Sequence, residues 1–399
     1  MKLPVYLDYN ATTPVDPLVI EAMLPYFNEK FGNPSSKSHW YGLEAAAAVE
    51  KSREIIASFI NVSPKEIFFT SGATESINTV HNGIFELYGS ENTHIITSEI
   101  EHSAVINSLK RIEYNGSEVT YLKVNKYGEI SIDELEKSIS GKTKLVSLMS
   151  ANNEIGTLND LEAIGNICKE HGVLFHTDAA QAFGKIDIDI NKLNIDFLSF
   201  SGHKLYAPKG IGVLYKKRGI NIPPLLLGGG QESGFRSGTL NVPYIVGLGK
   251  AVQLIAENFQ SETEKLIILR NKLFDILANN LTDISLNGKL ANRLPNNLNI
   301  CFKYIKSSSL ISELKTIAMS SGSACSTDKP EPNRVLKAIG LSDQDTFSSI
   351  RFGIGRYTTE EEIVYTGGKL IETVNNLRKN SPAYLLSKAQ TKENYNEVR

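Results

Sequence analysis

Short apolar runs alternate with longer stretches of helical periodicity through the first half of the chain. The runs are Ile67-Phe68-Phe69-Thr70, His94-Ile95-Ile96-Thr97, 118–124, 144–150, 174–177, 197–201 and 212–215. Between the earlier runs, apolar residues three and four apart predict helices over 71–86, 103–114, 132–139 and 161–171. Strands that alternate with helices of this length predict an α/β fold with a mostly parallel sheet flanked by helices. In such sheets ligands gather beyond the carboxyl ends of the strands. Polar residues break the pattern at those ends: Thr70-Ser71-Gly72, Glu101-His102-Ser103, Asn152-Asn153-Glu154, Asp178 and Ser201 to Lys204.

The flanks read differently. Val5-Tyr6-Leu7 predicts a strand that runs into the turn Asp8-Tyr9-Asn10-Ala11-Thr12-Thr13-Pro14. Asp16-Pro17 caps a helix to about 27, and the alanine-rich stretch 42–59 is a second helix. Residues 228–239 hold too much glycine for a helix or a strand. Two helices are predicted after them, over 242–258 and 261–279. The remainder alternates again, with strands over 298–302 and 349–352 and helices over 308–315, 333–338 and 359–379. This divides the chain into a large domain, 16–258, and a smaller α/β C-terminal domain made of 1–15 and 259–379. The smaller one carries a flexible loop at 320–332, and a polar, partly mobile tail covers 380–399.

Composition narrows the classes. The chain has 399 residues, 41% hydrophobic and 22% charged, with a formal net charge of −2. That balance is ordinary for a soluble globular protein and argues against direct nucleic-acid binding. No run reaches 18 consecutive apolar residues, and the N-terminus turns polar too early for a signal peptide. A cytoplasmic protein without a membrane partner is expected. Cys168, Cys301 and Cys325 form no CxxC pair, so neither a disulfide framework nor a metal site is expected.

The chemistry concentrates in Ser199-Phe200-Ser201-Gly202-His203-Lys204, which follows Asp178 by 26 residues at Lys204. A lysine that can form a Schiff base, with a carboxylate for a pyridinium nitrogen, is what pyridoxal phosphate requires. Ser71-Gly72-Ala73-Thr74, between a strand and a helix, offers converging N–H groups for its phosphate. A plain capped helix is the bland alternative there. His102 at a strand-to-helix junction can stack on a ring or exchange protons. Arg351, alternating with apolar residues on a strand, needs an anionic partner, either a ligand carboxylate or a structural one. Cys325, among Ser320-Ser321-Gly322-Ser323-Ala324 and Ser326-Thr327-Asp328, reads as an exposed thiol and a candidate nucleophile. Cys168 and Cys301 read as small buried hydrophobes.

Seven motifs in order resemble cysteine desulfurases of the NifS/IscS type. They are Ser71-Gly72-Ala73-Thr74-Glu75-Ser76, Glu101-His102-Ser103-Ala104-Val105, Asn152-Asn153-Glu154-Ile155-Gly156, Asp178-Ala179-Ala180-Gln181, Ser199 to Lys204, Arg236-Ser237-Gly238-Thr239 and Ser321-Gly322-Ser323-Ala324-Cys325. The resemblance covers about residues 5 to 365. It implies a fold-type I pyridoxal 5′-phosphate transferase that acts as a homodimer. Lys204 would hold the cofactor, Asp178 would pair with its ring nitrogen, His102 would stack on it, and Gln181 would meet its phenolic oxygen. Ala73, Thr74, Ser201 and His203 would bind the phosphate, with Thr239 arriving from the other subunit. Asn153 would lie beside cofactor and substrate, and Arg351 would take the substrate carboxylate. L-cysteine would become L-alanine, leaving a persulfide on Cys325. The sulfur would pass to an acceptor protein, such as an iron–sulfur scaffold or a tRNA-thiolation protein. A selenocysteine lyase or an aminotransferase of the same fold is the alternative enzyme, and an aminotransferase has no use for Cys325. An idle chain that serves as a sulfur-transfer platform is the alternative outside enzymes. The stretch from about 380 does not resemble the scaffold-docking tail of bacterial housekeeping members.

Overall fold

The computed structural model describes residues 2–321, 323–324 and 331–397. Strand β1 (Val5–Tyr6) opens the chain, and the next seven strands build one sheet. These are β2 (Ile67–Thr70), β3 (His94–Ser98), β4 (Glu118–Leu122), β5 (Thr143–Ser147), β6 (Leu174–Asp178), β7 (Phe197–Ser201) and β8 (Gly212–Lys216). Their order across the sheet is β2-β8-β7-β6-β5-β3-β4. All neighbours from β7 to β4 run parallel, while β8 runs antiparallel to both β7 and β2. Every residue of β2, β3 and β7 is buried, so these strands read as apolar runs rather than as alternating patterns.

The later strands are β9 (Ile284–Leu286), β10 (Asn297–Phe302), β11 (Ile317–Ala318), β12 (Ser320–Ser321), β13 (Ser323–Ala324), β14 (Glu331–Pro332) and β15 (Ser349–Gly353). Four of them form an antiparallel sheet in the order β12-β15-β10-β9. β1 pairs in parallel with β11, and the Gly353 N–H donates to Leu7 O at 2.7 Å, so the first residues join this second sheet. β9 has three residues, too few to show a period in the sequence.

Two larger apolar cores stand out among the described residues, beside smaller clusters around Ile77 and around Leu336. One packs Phe175, Phe183, Phe200 and Val213 under the large sheet, and the other gathers Val5, Leu7, Leu298, Phe302, Ile350 and Phe352. The helix Val242–Asn280 serves both, with Leu248, Val252 and Ile255 in the first core and Leu266, Leu269, Leu273 and Leu277 in the second. The two helices expected over 242–258 and 261–279 are therefore one. Nothing near residue 260 breaks a helix, and the Ser261 hydroxyl bonds back to Asn258 O at 3.1 Å within the turn. The tail is also more ordered than its polarity implies. Pro382–Glu397 forms a helix, and Lys388 in it pairs with Asp283 at 3.1 Å.

One close approach fixes the sheet where the site lies. A Cβ on Gly212, the first residue of β8, would come within 2.5 Å of Gly72 Cα and 2.6 Å of Phe200 O. Gly212→Ala is expected to cost about 1–3 kcal/mol through overpacking. Gly141→Ala, whose Cβ would meet nothing within 4 Å, should stay within about 0.5 kcal/mol. Thermal melting of the two variants beside the parent checks this; equal melting points would refute the packing argument.

Candidate active site

The carboxyl ends of β2, β6 and β7 open on a cavity of about 280 Å³. At its floor the helix Ala73–Tyr88 begins at Gly72 with no side-chain cap. Its first N–H, on Ala73, donates to Ser201 Oγ at 2.7 Å from the end of β7. A helix start left open in this way attracts an anion. Glu75 in the same first turn would oppose that anion. Its carboxylate is occupied by the Ser71 N–H at 2.8 Å and by Arg236 Nε at 2.8 Å, which hold it below the usual carboxylate range despite burial. Thr74 also lines the cavity.

β7 ends in a tight turn over Gly202–Lys204 that turns Lys204 back into the cavity. Its amine donates to Asn10 O at 2.5 Å and to Ala11 O at 2.7 Å. Burial, and then the charge of Arg351, bring it down to about pH 8 from 10.5. His203 accepts the Thr13 N–H on its backbone oxygen at 2.9 Å and meets Thr12 Oγ1 through Nδ1 at 3.1 Å. Burial and the nearby lysines lower its ring to about 4, so it is neutral. Gln181 is locked to Asn10 at both ends of its amide: Nε2 donates to Asn10 O at 2.9 Å, and Oε1 accepts from Asn10 Nδ2 at 3.0 Å.

Asp178, at the end of β6, is 6% exposed and accepts the Ala180 N–H at 2.9 Å. Burial raises its pKa; that hydrogen bond and the charges of His102 and Lys204 oppose the rise. Below it, a buried chain of hydrogen bonds runs Ser108–His81–Ser147–His176–Ser199, each step between 2.6 and 2.9 Å. Burial keeps both rings neutral, so the chain adds polarity under Asp178 without charge.

His102 caps the helix Ser103–Tyr114 through Nδ1, which accepts the Ala104 N–H at 3.1 Å. This leaves Nε2 as the ring nitrogen free for proton exchange. The preceding Glu101 is buried, and its carboxyl accepts the Met149 N–H at 3.0 Å, tying the end of β3 to the end of β5. Burial pushes Glu101 up to about 8. Asn153 sits at the cavity wall with Nδ2 on Glu154 Oε1 at 2.7 Å. Arg351 on β15 reaches across from the second sheet. It is 7% exposed and pairs with Glu154 at 2.8 Å and Asp8 at 3.1 Å.

Lys204, Asp178, Gln181, His102, Ala73, Thr74, Ser201, His203, Asn153 and Arg351 thus line one cavity. Thr239 does not line it; in this chain it is exposed. Cys325 lies outside the described residues. The residue just before it, Ala324, pairs with Glu331 in the two-stranded ribbon of β13 and β14. Cys168 and Cys301 are buried, and burial raises their thiols to about 12 and 11, far from a thiolate. Sequence reasoning treated Asp8 to Thr13 as a turn and assigned it no chemistry. Asp8, Asn10, Thr12 and Thr13 carry the signal used elsewhere, polar residues directly after an apolar strand. Asp8 and Thr12 act through their side chains, but Lys204 is held by the backbone carbonyls of Asn10 and Ala11, which no side-chain pattern displays.

These groups fit pyridoxal 5′-phosphate. A desolvated amine suits the aldehyde, a buried carboxylate suits a protonated ring nitrogen, and an uncapped helix start suits the phosphate. The comparisons agree. The class-V aminotransferase family matches residues 5–365. A cysteine desulfurase IscS of Rickettsia bellii is 48% identical over 384 residues, 96% of this chain and 94% of the relative. A mitosomal cysteine desulfurase of Trachipleistophora hominis is 49% identical over 388 residues, 95% of this chain and 88% of that one. Among solved structures, a NifS-like protein superposes with a TM-score of 0.88 at 40% identity, over 94% of this chain and all of the other. SspA in complex with cysteine superposes with a TM-score of 0.80, also at 40% identity, over 89% of this chain. The chain belongs to the class-V aminotransferases, enzymes of the fold-type I pyridoxal 5′-phosphate class. Within them it is a cysteine desulfurase of the NifS/IscS type.

The amine of Lys204 should react with an added aldehyde in the apoprotein with a midpoint near pH 8 rather than 10.5. Arg351→Ala removes a cation and should raise that midpoint; Asp178→Asn removes an anion and should lower it. Borohydride trapping at Lys204 across pH 6–11, read by peptide mass, checks both signs.

Proposed function

We propose that this protein converts L-cysteine to L-alanine and delivers the sulfur, as a persulfide on Cys325, to an acceptor protein. The observation that carries the reading is the convergence of Lys204, Asp178 and Arg351 on one cavity with an uncapped helix start at its floor. Bound pyridoxal 5′-phosphate supplies an electron sink for charge developing at the substrate Cα. In this assignment Lys204 anchors the group and, when freed, moves the Cα proton; an amine titrating near pH 8 suits both tasks. Asp178 holds the ring nitrogen protonated. Gln181, His102 and Asn153 orient the ring and substrate, and Ala73, Thr74, Ser201 and His203 hold the phosphate. Arg351 takes the substrate carboxylate. The Cys325 thiolate attacks the substrate sulfur, the Cβ–S bond breaks with its electron pair going to carbon, and a sulfur–sulfur bond forms on Cys325. His102 Nε2 exchanges the thiol protons.

The reading extends to a homodimer in the cytoplasm. Leu24, Phe27, Phe31, Trp40 and Tyr41 are all more than half exposed in the single chain, and Thr239 is free to serve a neighbouring site. Among the described residues, no helix is long and apolar enough to cross a membrane. The division into 16–258, and 1–15 with 259–379, accords with the two cores joined by the helix Val242–Asn280. Iron–sulfur assembly and tRNA thiolation are the processes that consume such a persulfide.

Cys325→Ser is expected to keep the cofactor's visible absorbance and its response to L-cysteine, while alanine release falls by about a hundredfold or more. Alanine quantitation beside the absorbance spectrum checks this. Full alanine release from Cys325→Ser would sink the desulfurase assignment.

A further inference from the structure

The guanidinium of Arg351 is nearly saturated. Nη1 donates to Asn153 O at 3.1 Å and Glu154 Oε1 at 2.8 Å. Nη2 donates to Asp8 Oδ1 at 3.1 Å and Ser320 Oγ at 3.2 Å. A guanidinium has five N–H groups. The fifth, on Nε, is buried and has no partner among the described residues. A buried donor without an acceptor is costly, and here it belongs to a side chain that lines the cavity. One edge of Arg351 is therefore kept for a ligand oxygen, and the other contacts hold the group in place.

Those contacts include two carboxylates against one guanidinium. Asp8 and Glu154 outnumber the guanidinium they hold, and the other cation whose charge they feel is Lys204. An incoming carboxylate meets the free Nε–H. The neighbouring Nη2–H lies on the same edge, and its weakest acceptor is the neutral Ser320 hydroxyl, which Asp8 also holds, at 2.8 Å. A first anionic group can thus be accepted by taking the place of a hydroxyl. A second meets Asp8 and Glu154 after Arg351 has been taken, and the other cation they face, Lys204, is the residue that anchors the cofactor in the reading above.

We propose that Asp8 and Glu154 are specificity-determining residues: they orient Arg351 for one carboxylate and exclude amino acids that carry a second anionic group at the β-position. This rests on the reading above that Arg351 takes the substrate carboxylate. The sequence pattern marks Glu154 among the polar residues at strand ends and Asp8 in a turn but gives neither a role, because only the fold brings both to Arg351.

L-aspartate and L-asparagine are the probes, since they share a shape and differ by one charge. Their inhibition constants against L-cysteine are measured with the holoenzyme at low ionic strength, together with the cofactor's spectral response to each. The wild type should favour asparagine. Asp8→Asn and Glu154→Gln should each lower the aspartate-to-asparagine ratio of inhibition constants by about three- to tenfold, as loss of one charge at this range predicts. A purely structural role would weaken both probes in parallel and leave the ratio unchanged. An unchanged ratio in both variants, or no discrimination in any of the three proteins, overturns the proposal. Arg351→Lys separates the two readings. If it weakens neither probe, the carboxylate assignment fails; if it weakens both while the ratio ignores Asp8 and Glu154, only the charge filter fails.

Discussion

A lysine amine taken out of water must find acceptors, and in this protein it finds two backbone carbonyls. Asn10 O and Ala11 O hold Lys204 Nζ, and the turn that presents them also fixes Gln181, His203 and Arg351. That turn follows β1, and its first residue, Asp8, bridges to Gly353 at the end of β15 in the second sheet, whereas Lys204 hangs from the first. The amine is thus anchored across two sheets. Burial makes it easier to discharge, and carbonyls accept its hydrogen bonds without neutralising it. A carboxylate in their place would have held the proton and returned the amine toward its ordinary basicity.

Much of this was legible beforehand. The apolar runs matched the strands of the large sheet, and the polar residues after them line the cavity, because parallel strands place their ends on one side. Lys204, Asp178 and His102 were visible for that reason. The helix Val242–Asn280 was not: it was divided at 259–260, where the exposed polar residues that follow are compatible with an unbroken helix. The parts of the site that escaped detection act through the backbone, as Asn10 and Ala11 do, or through pairings set by the fold, as Asp8 and Glu154 do. A strand pattern also cannot say whether an arginine such as Arg351 already has anionic partners.

The charges around the cavity are arranged in opposed pairs. Arg236 covers Glu75 beside the helix start, so the anion-binding end is not spoiled by its own first turn. The Arg53–Glu232 pair, at 2.7 Å and almost wholly buried, anchors the glycine-rich segment that leads to Thr239. Its desolvation cost makes it a poor source of stability, but breaking it would strand a charge in the core. Histidines 81 and 176 supply polarity without charge below Asp178. Among the described residues this leaves Lys204 and Asp178 without an ion pair and Nε of Arg351 without an acceptor, where a ligand can use them.

The pairing of Gly353 with Leu7 has a consequence for how the protein comes into being. The strands that hold residues 8 to 11, β11 and β15, are made more than 300 residues after them. At the pace of translation that is an interval of tens of seconds. During it the large sheet can form with Lys204 in place, while the turn that receives its amine has no fixed position. The cavity can therefore acquire its final shape only after β15 has been made, and a nascent chain truncated before β15 should hold the lysine but not the pocket. Long-range closure of this kind is slow to search.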